Sequence, residues 1–517
     1  MIRSLLSVGG FTLLSRLTGF LSLAMQSAIM GAGVVSDAFF IAQRLPNSFR
    51  AIFGEGAFNA AYIPCYATAL EQEGDESAEE FAGEVYTLLL ASQIVILFLV
   101  WLFAPHFVGL LAPGLDDRPE KFALAVSLTR ITFPYLLFMT LFAQHMGTLN
   151  AHGRFALPAF APNLMNLTVM AALGLTVVAP RMFPNPGYAA SWGVTISGAL
   201  ELGLLMWGAR QIGVLRGLRK PHWARVRDFF IKLGPAVIGS ASPQIAVFAD
   251  TILSSMLADG GVSAISYAER LYQLPVGVIG IAAGTVLLPE MSRRIAAGDV
   301  AGAHQAQSRT MALTIALAAP FFIAFDTLPE LIVAGLFMRG RFTAADAIAA
   351  GDVLAAYGAG LMALVLIASA RASFQSRGDT STPMKIALAA LAVNVALKIV
   401  LFRSLGAVGL ATATSVGLWI NLAALVSLAL ARDFMDFDGV FAKVVGATVI
   451  ASMFLTLVAM FGRAPALALG LHFGSQANLV ALLALGAAGA AVYGAVLVGV
   501  LSLAGLNIAK LRRRRAA

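Results

Sequence analysis

Apolar stretches long enough to cross a bilayer recur about fourteen times along this chain, and nothing else narrows its possible folds so far. A spanning helix needs about 20 mostly apolar residues, and inside hydrocarbon every backbone N–H and C=O must be satisfied by the chain itself. Breaks at Gly, Pro and charge clusters place the expected spans at 5–29, 35–68, 82–111, 121–149, 156–179, 187–210, 234–257, 263–290, 307–337, 345–372, 382–402, 406–431, 440–462 and 477–506. With 59% hydrophobic and 12% charged residues, the expected fold class is all-α integral membrane. Arg16 interrupts the first apolar run, which resumes on both sides of it, so the first segment reads as a retained helix rather than a signal peptide.

The net charge of +8 would suggest a nucleic-acid partner in a soluble protein, but its placement gives another explanation. The sixth connection holds Arg210, Arg216, Arg219, Lys220, Arg225, Arg227 and Lys232. Other even-numbered connections add Arg154, Arg293, Arg294, Arg377 and Lys385, and the tail KLRRRR falls on the same side. Odd-numbered connections hold few Lys or Arg, so both termini are expected in the cytoplasm, with no nucleic acid as partner. The acidic run EQEGDESAEE at 71–80 reads as a solvated cytoplasmic loop. One cysteine, Cys65, excludes an internal disulfide, and six scattered histidines offer no paired metal motif, so neither metal nor cofactor is expected.

The chain also repeats itself. AQRL at 42–45 returns as AERL at 268–271, 226 residues on from Arg44 to Arg270 (270 − 44). Pro64 and Pro289 lie 225 apart, as do Gly153 and Gly378, and Pro158 and Pro383. These offsets predict two six-helix lobes, and an even number of spans per lobe makes their orientation parallel. The expected organisation is an N-terminal lobe over 1–215, a basic linker over 216–233, a second lobe over 234–435, and two extra helices with a basic tail over 436–517.

Charges within the spans carry the functional argument. Arg16 lies in span one; Asp37, Arg44, Arg50 and Glu55 lie in span two; Glu269 and Arg270 lie in span eight, its duplicate. At about 100° per residue, positions 37, 44 and 55 share a helix face, whereas Arg50 needs re-aiming by Pro46. An Arg at the bilayer centre costs about 2.5 to 3.5 kcal/mol, so leaving four toward lipid would cost roughly 10 kcal/mol. Snorkelling or stapling by an acidic partner can excuse any one of them. Three spans supplying arginines that the carboxylates do not neutralise point instead to a wet cationic cavity between the halves and an anionic substrate, since guanidinium forks match phosphate oxygens. Asp250 in span seven is expected to pair with Lys398 in span eleven, where Asn394 sits one turn earlier. Glu201 and His145 read as helix-packing partners rather than proton carriers. Gly277, Gly280 and Gly284 after Pro275 mark either close packing or a bend. No nucleophile–base set suggests an enzyme.

SRLTGF (15–20), GAGVVSDAFFIAQRLPNSFRAIFGEGAF (31–58), RFALPAFAPNLMN (154–166) and YAERLYQLPVGVIGIAAGTVLLPEMS (267–292) together resemble the MurJ (MviN-like) family of lipid II flippases, within the multidrug/oligosaccharidyl-lipid/polysaccharide exporter superfamily. The resemblance implies a flippase that moves undecaprenyl-pyrophosphate-linked disaccharide-pentapeptide (lipid II) across the bacterial inner membrane by alternating access. Membrane lipids and the cell-wall synthesis machinery are the further partners it implies. It assigns the cavity to Arg16, Asp37, Arg50 and Arg270, with Arg44 and Glu55 in matching charged positions, and it lays the isoprenoid tail along spans thirteen and fourteen. Two departures stand out. Ser22 and Leu23 occupy positions where the family usually has an Arg-Asp pair, and Lys398 replaces a carboxylate of a sodium site that Asp250 and Asn394 otherwise match. A flippase for another polyprenyl-linked sugar and a cation-coupled drug exporter remain as alternatives.

Overall fold

A computed structural model describes residues 2–52, 58–214 and 217–506, and among these there are helices and turns but no strand. They form two compact units, Met1–Ser263 with Gly340–Phe342, and Ala264–Arg339 with Thr343–Ala517. The first contains α1 (Ile2–Met30), α2 (Val34–Ile52), α3 (Phe58–Glu73), α4 (Asp75–Leu102), α5 (Ala104–Leu111), α6 (Pro119–Thr132), α7 (Pro134–Ala151), α8 (Ala156–Phe160), α9 (Pro162–Val178), α10 (Pro186–Gln211) and α11 (Trp223–Ser255). The boundary falls inside α12 (Gly261–Pro275). The second unit continues with α13 (Ile281–Ala296), α14 (Val300–Thr327), α15 (Pro329–Phe337), α16 (Ala344–Gly358), α17 (Leu361–Gln375), α18 (Ser381–Ala431), α19 (Gly439–Leu471) and α20 (Ala477–Leu503).

Ten helical segments among the described residues are long and apolar enough to cross a membrane. One of them, α18, holds both of the expected spans 382–402 and 406–431, which are separated by a non-helical Gly406 at φ +56°. Three expected spans, 35–68, 234–257 and 263–290, are outside that set. The segment 35–68 is interrupted by its own charges, because α2 alone carries Asp37, Arg44 and Arg50.

Compactness does not follow the expected break at the linker, because α11 packs with α2 and α3. The reason is aromatic. Phe229 of α11 meets Phe58, Tyr62 and Phe81 edge-on in a fully buried cluster. The cluster's polar tips are satisfied, with Tyr62 Oη 2.8 Å from Thr148 Oγ1 and Tyr66 Oη 2.9 Å from His152 Nε2.

Within each unit, prolines inside spans set a recurring problem: a Pro at i leaves the carbonyl at i−4 without its donor. Pro46 frees the Ala42 carbonyl, which accepts from the Thr132 hydroxyl at 3.1 Å. The Trp101 carbonyl, orphaned in the last turn of α4, accepts from Arg130 Nε at 3.2 Å. Pro320 frees that of Ala316, which accepts from the Tyr493 hydroxyl at 2.6 Å. Tyr493 thereby fixes the α19–α20 hairpin to α14. Tyr493→Phe leaves a buried carbonyl bare and is expected to destabilise the protein by about 1–3 kcal/mol, read as a lowered thermal midpoint in detergent; an unchanged midpoint would refute this role.

Two glycines that stand 225 residues apart in the sequence adopt the same backbone conformation, one also found at Gly213 and Gly298. Gly153 ends α7 at φ +70° and Gly378 follows α17 at φ +80°. Each is followed by the same returning bond, Arg154 N to Leu149 O at 2.8 Å and Asp379 N to Phe374 O at 3.0 Å. Both are six-residue left-handed helix caps, which is why glycine stands at both positions.

Candidate functional site

Arg16 sits midway along α1, half-buried. The helix is held around it by α9, where Asn166 Nδ2 donates to the Ser15 carbonyl at 3.2 Å and to Thr18 Oγ1 at 3.0 Å. Thr18 Oγ1 in turn donates to Asn163 Oδ1 at 3.3 Å. Gly19 brings α1 close enough that an added Cβ would lie 3.5 Å from Asn166. Two asparagines from the motif at 154–166 therefore hold α1 on either side of Arg16, which their lack of charge does not announce in the sequence. Ser22 and Leu23, at the departures from the family pattern, are both buried, and Ser22 Oγ accepts from Gln26 Nε2 at 3.2 Å.

Along α2 the charges separate. Asp37 lies in its first turn and Arg50 in its last, about 20 Å apart at 1.5 Å per residue. Arg44 and Arg50 are half-buried. Arg50 lies within electrostatic reach of Glu201 on α10, a carboxyl only 1% exposed whose Oε1 has no hydrogen-bond partner. Glu55 lies outside the described residues.

Asp37 is fully buried and its oxygens are already taken. Oδ2 accepts from Lys121 Nζ at 2.7 Å and from Gly260 N at 2.8 Å; Oδ1 accepts from Ser263 N at 2.8 Å and from the Ser263 hydroxyl. The carboxylate thus caps the first turn of α12, where orphan N–H groups and the helix dipole favour an anion. Expected beside the arginines, it acts here as an anchor at the far end of α2. Lys121, itself buried, also reaches Asp259 Oδ1 at 2.8 Å, and Arg118 meets the same oxygen at 3.1 Å.

The hydrogen bond from Lys121, reinforced by the charges of Lys121 and Arg118, holds the Asp259 carboxyl below its ordinary range. A depressed carboxylate pKa adds stability that is present above the unfolded-state value, near 4, and is lost as pH falls through the lowered folded value. The thermal midpoint is therefore expected to fall on acidification below about pH 4, and Asp259→Asn to flatten that dependence; an identical acid limb in the variant would contradict this.

In the second unit, Arg270 on α12 is exposed and Glu269 beside it is half-buried, accepting from Gln273 Nε2 at 2.9 Å. Beyond Pro275 the chain makes one wide π-helical turn over Val276–Gly280. Added Cβ atoms at Gly280 and Gly284 would meet Val365 at 3.6 Å and Ala368 at 3.3 Å, so these glycines serve close packing on α17 as well as following a bend. Lys398 is fully buried on α18, one turn from Asn394, whose Oδ1 is buried without a hydrogen-bond partner. Asp250 belongs to α11 and the first unit, so the three residues are divided between the units. No cluster of three potential metal ligands occurs among the described residues.

The acidic run is exposed over 71–76, as expected of a solvated segment, and turns inward only at its end. Glu79 is buried, and Arg225 of the basic linker region donates to Glu80 at 2.6 Å and to buried Glu84 at 3.0 Å. Glu84 also accepts from His222 N at 3.1 Å, and Arg219 N donates to Thr87 Oγ1 at 3.0 Å. An alternating chain of acids on α4 thus seats the linker, a contact that composition alone does not disclose.

The comparisons with known proteins agree on one family. The family model described as "Lipid II flippase MurJ" matches residues 26–480. A probable lipid II flippase MurJ of Rhizobium meliloti (strain 1021) is 39% identical over 423 residues, covering 81% of this chain and 79% of that protein. The lipid II flippase MurJ of Burkholderia cenocepacia is 34% identical over 429 residues, covering 81% and 82%. Among solved structures, a lipid II flippase MurJ in an inward closed conformation matches with a TM-score of 0.78 at 22% identity, covering 96% of this chain and 99% of that one. An inward-facing multidrug resistance MATE family transporter matches with a TM-score of 0.62 at 14% identity over 82% of this chain and 96% of its own, a likeness of fold. With helices apolar enough to cross a membrane many times and this extent of similarity, the chain belongs to the MurJ family of multi-pass bacterial inner-membrane proteins.

Proposed function

We propose that this protein flips lipid II from the inner to the outer leaflet of the bacterial inner membrane. The observation that carries the reading is the family match over residues 26–480, joined by relatives up to 39% identical over most of their length. The chemistry is supplied by arginines on membrane helices. Arg16, Arg44 and Arg50 of the first unit, and Arg270 of the second, offer guanidinium forks to the diphosphate, with Glu269 next to Arg270 in a position to take sugar or peptide donors. A drug exporter for cations would need the opposite lining. The exposed apolar side chains of α19, among them Met453, Leu457, Met460 and Phe461, suit the polyprenyl tail. The basic linker and both termini lie in the cytoplasm on this reading; the tail KLRRRR is outside the described residues. A conformational change driven by substrate requires the head group to bind the two states unequally.

The test supplies this protein to cells depleted of their native flippase and asks whether labelled lipid II reaches the outer leaflet. Restored labelling is expected. Absence of labelling with normal membrane insertion would end the proposal.

A further inference from the structure

On the first unit, at the end of α4 remote from the linker, there is an open crevice of about 500 Å³. Ile94, Leu97, Phe98 and Trp101 line it at positions i, i+3, i+4 and i+7 of α4, and Trp192 of α10 closes another side. Among these apolar walls stands one charge, Arg130 of α6, and no acidic side chain lines the space. Part of Arg130 is committed: its guanidinium lies over the Trp101 ring, 5.5 Å from the centroid, and Nε serves the Trp101 carbonyl in the last turn of α4. That bond and stacking fix the plane of the group, while its two Nη nitrogens make no further hydrogen bond among the described residues. A half-buried cation at the margin of an almost wholly apolar crevice is matched by a ligand that is anionic at one end and hydrocarbon at the other. Trp101 and Trp192, about half exposed, suit the headgroup boundary of a leaflet.

We propose that this crevice is a binding site for an anionic glycerophospholipid of the leaflet opposite the basic linker, with the phosphate on the Arg130 Nη groups and an acyl chain along Ile94, Leu97 and Phe98. The site is separate from the arginines assigned to the diphosphate, and it offers the protein a lipid-dependent stability that does not require transport.

The full chain in detergent, titrated with phosphatidylglycerol or phosphatidylcholine, tests this by native mass spectrometry and thermal midpoint. Phosphatidylglycerol is expected to be retained and to raise the midpoint, and phosphatidylcholine to do so at least tenfold more weakly. Arg130→Gln keeps one donor for the Trp101 carbonyl but removes the charge, and is expected to reduce phosphatidylglycerol retention at least tenfold. Ile94→Trp narrows the crevice at an exposed position and leaves Arg130 intact, so it reports on the site if Arg130→Gln does not fold; it too is expected to lose retention. Wild-type retention in a folded Arg130→Gln or in Ile94→Trp would overturn the proposal, as would equal binding of the two lipids. Displacement of phosphatidylglycerol by equimolar undecaprenyl phosphate would assign the crevice to the carrier tail and overturn it as well.

Discussion

Arg16→Ala and Arg270→Ala are each expected to slow lipid II translocation at least about a hundredfold while leaving the protein inserted at normal levels. Each removes a permanently charged fork from a diphosphate, and two charge-assisted hydrogen bonds contribute about 3 kcal/mol or more, which corresponds to about a hundredfold. Lysine at either position keeps the charge but loses the paired geometry, so an intermediate rate is expected. For Arg16 the effect should extend to its support: Asn166→Ala releases Ser15 and Thr18 on α1 and is expected to lower the rate without removing any charge. Flipping is measured by surface labelling of lipid II after depletion of the native protein. Undiminished flipping by both alanine variants would remove these side chains from the substrate site.

Asp37→Asn is expected to produce a large loss of stability, about 3 kcal/mol, because buried Lys121 keeps only the partly exposed Asp259 and the first turn of α12 loses its anionic cap. The loss should show as a lowered thermal midpoint and lowered membrane abundance. Replacing both partners, Asp37→Asn with Lys121→Met, removes the buried ammonium and is expected to recover part of the loss, although the first turn of α12 still loses its anionic cap and Asp259 keeps only Arg118. A double variant no more stable than Asp37→Asn alone would show that the pair is not the source of the effect. The cycle also separates the anchor from substrate binding, because the recovered protein retains every arginine.

How much of this was legible in the sequence depended on the kind of signal. Spans are written in long apolar runs, so α4, α10, α14 and the hairpin α19–α20 could be located from composition alone. The caps at Gly153 and Gly378 were legible because left-handed helix ends demand glycine. Asp37 was harder: helix periodicity places it on a face with Arg44, but its partners Lys121, Gly260 and Ser263 come from distant elements, and no local pattern records that they converge. The end of the acidic run was hard to read for a related reason, since Glu80, which meets Arg225, and the exposed acids before it look alike until the linker is placed. Asn163 and Asn166 carried no charge to draw notice, yet they hold the helix that bears Arg16.

The prolines inside the spans have a genetic consequence. Because Pro320 on one helix creates the vacancy that Tyr493 on another fills, a defect caused by Tyr493→Phe should be suppressed in second-site screens by Pro320→Ala, which restores the missing backbone N–H. The same reciprocity links Thr132 to Pro46. Revertants of such lesions would therefore map to a residue that shares no side-chain chemistry with the one first lost.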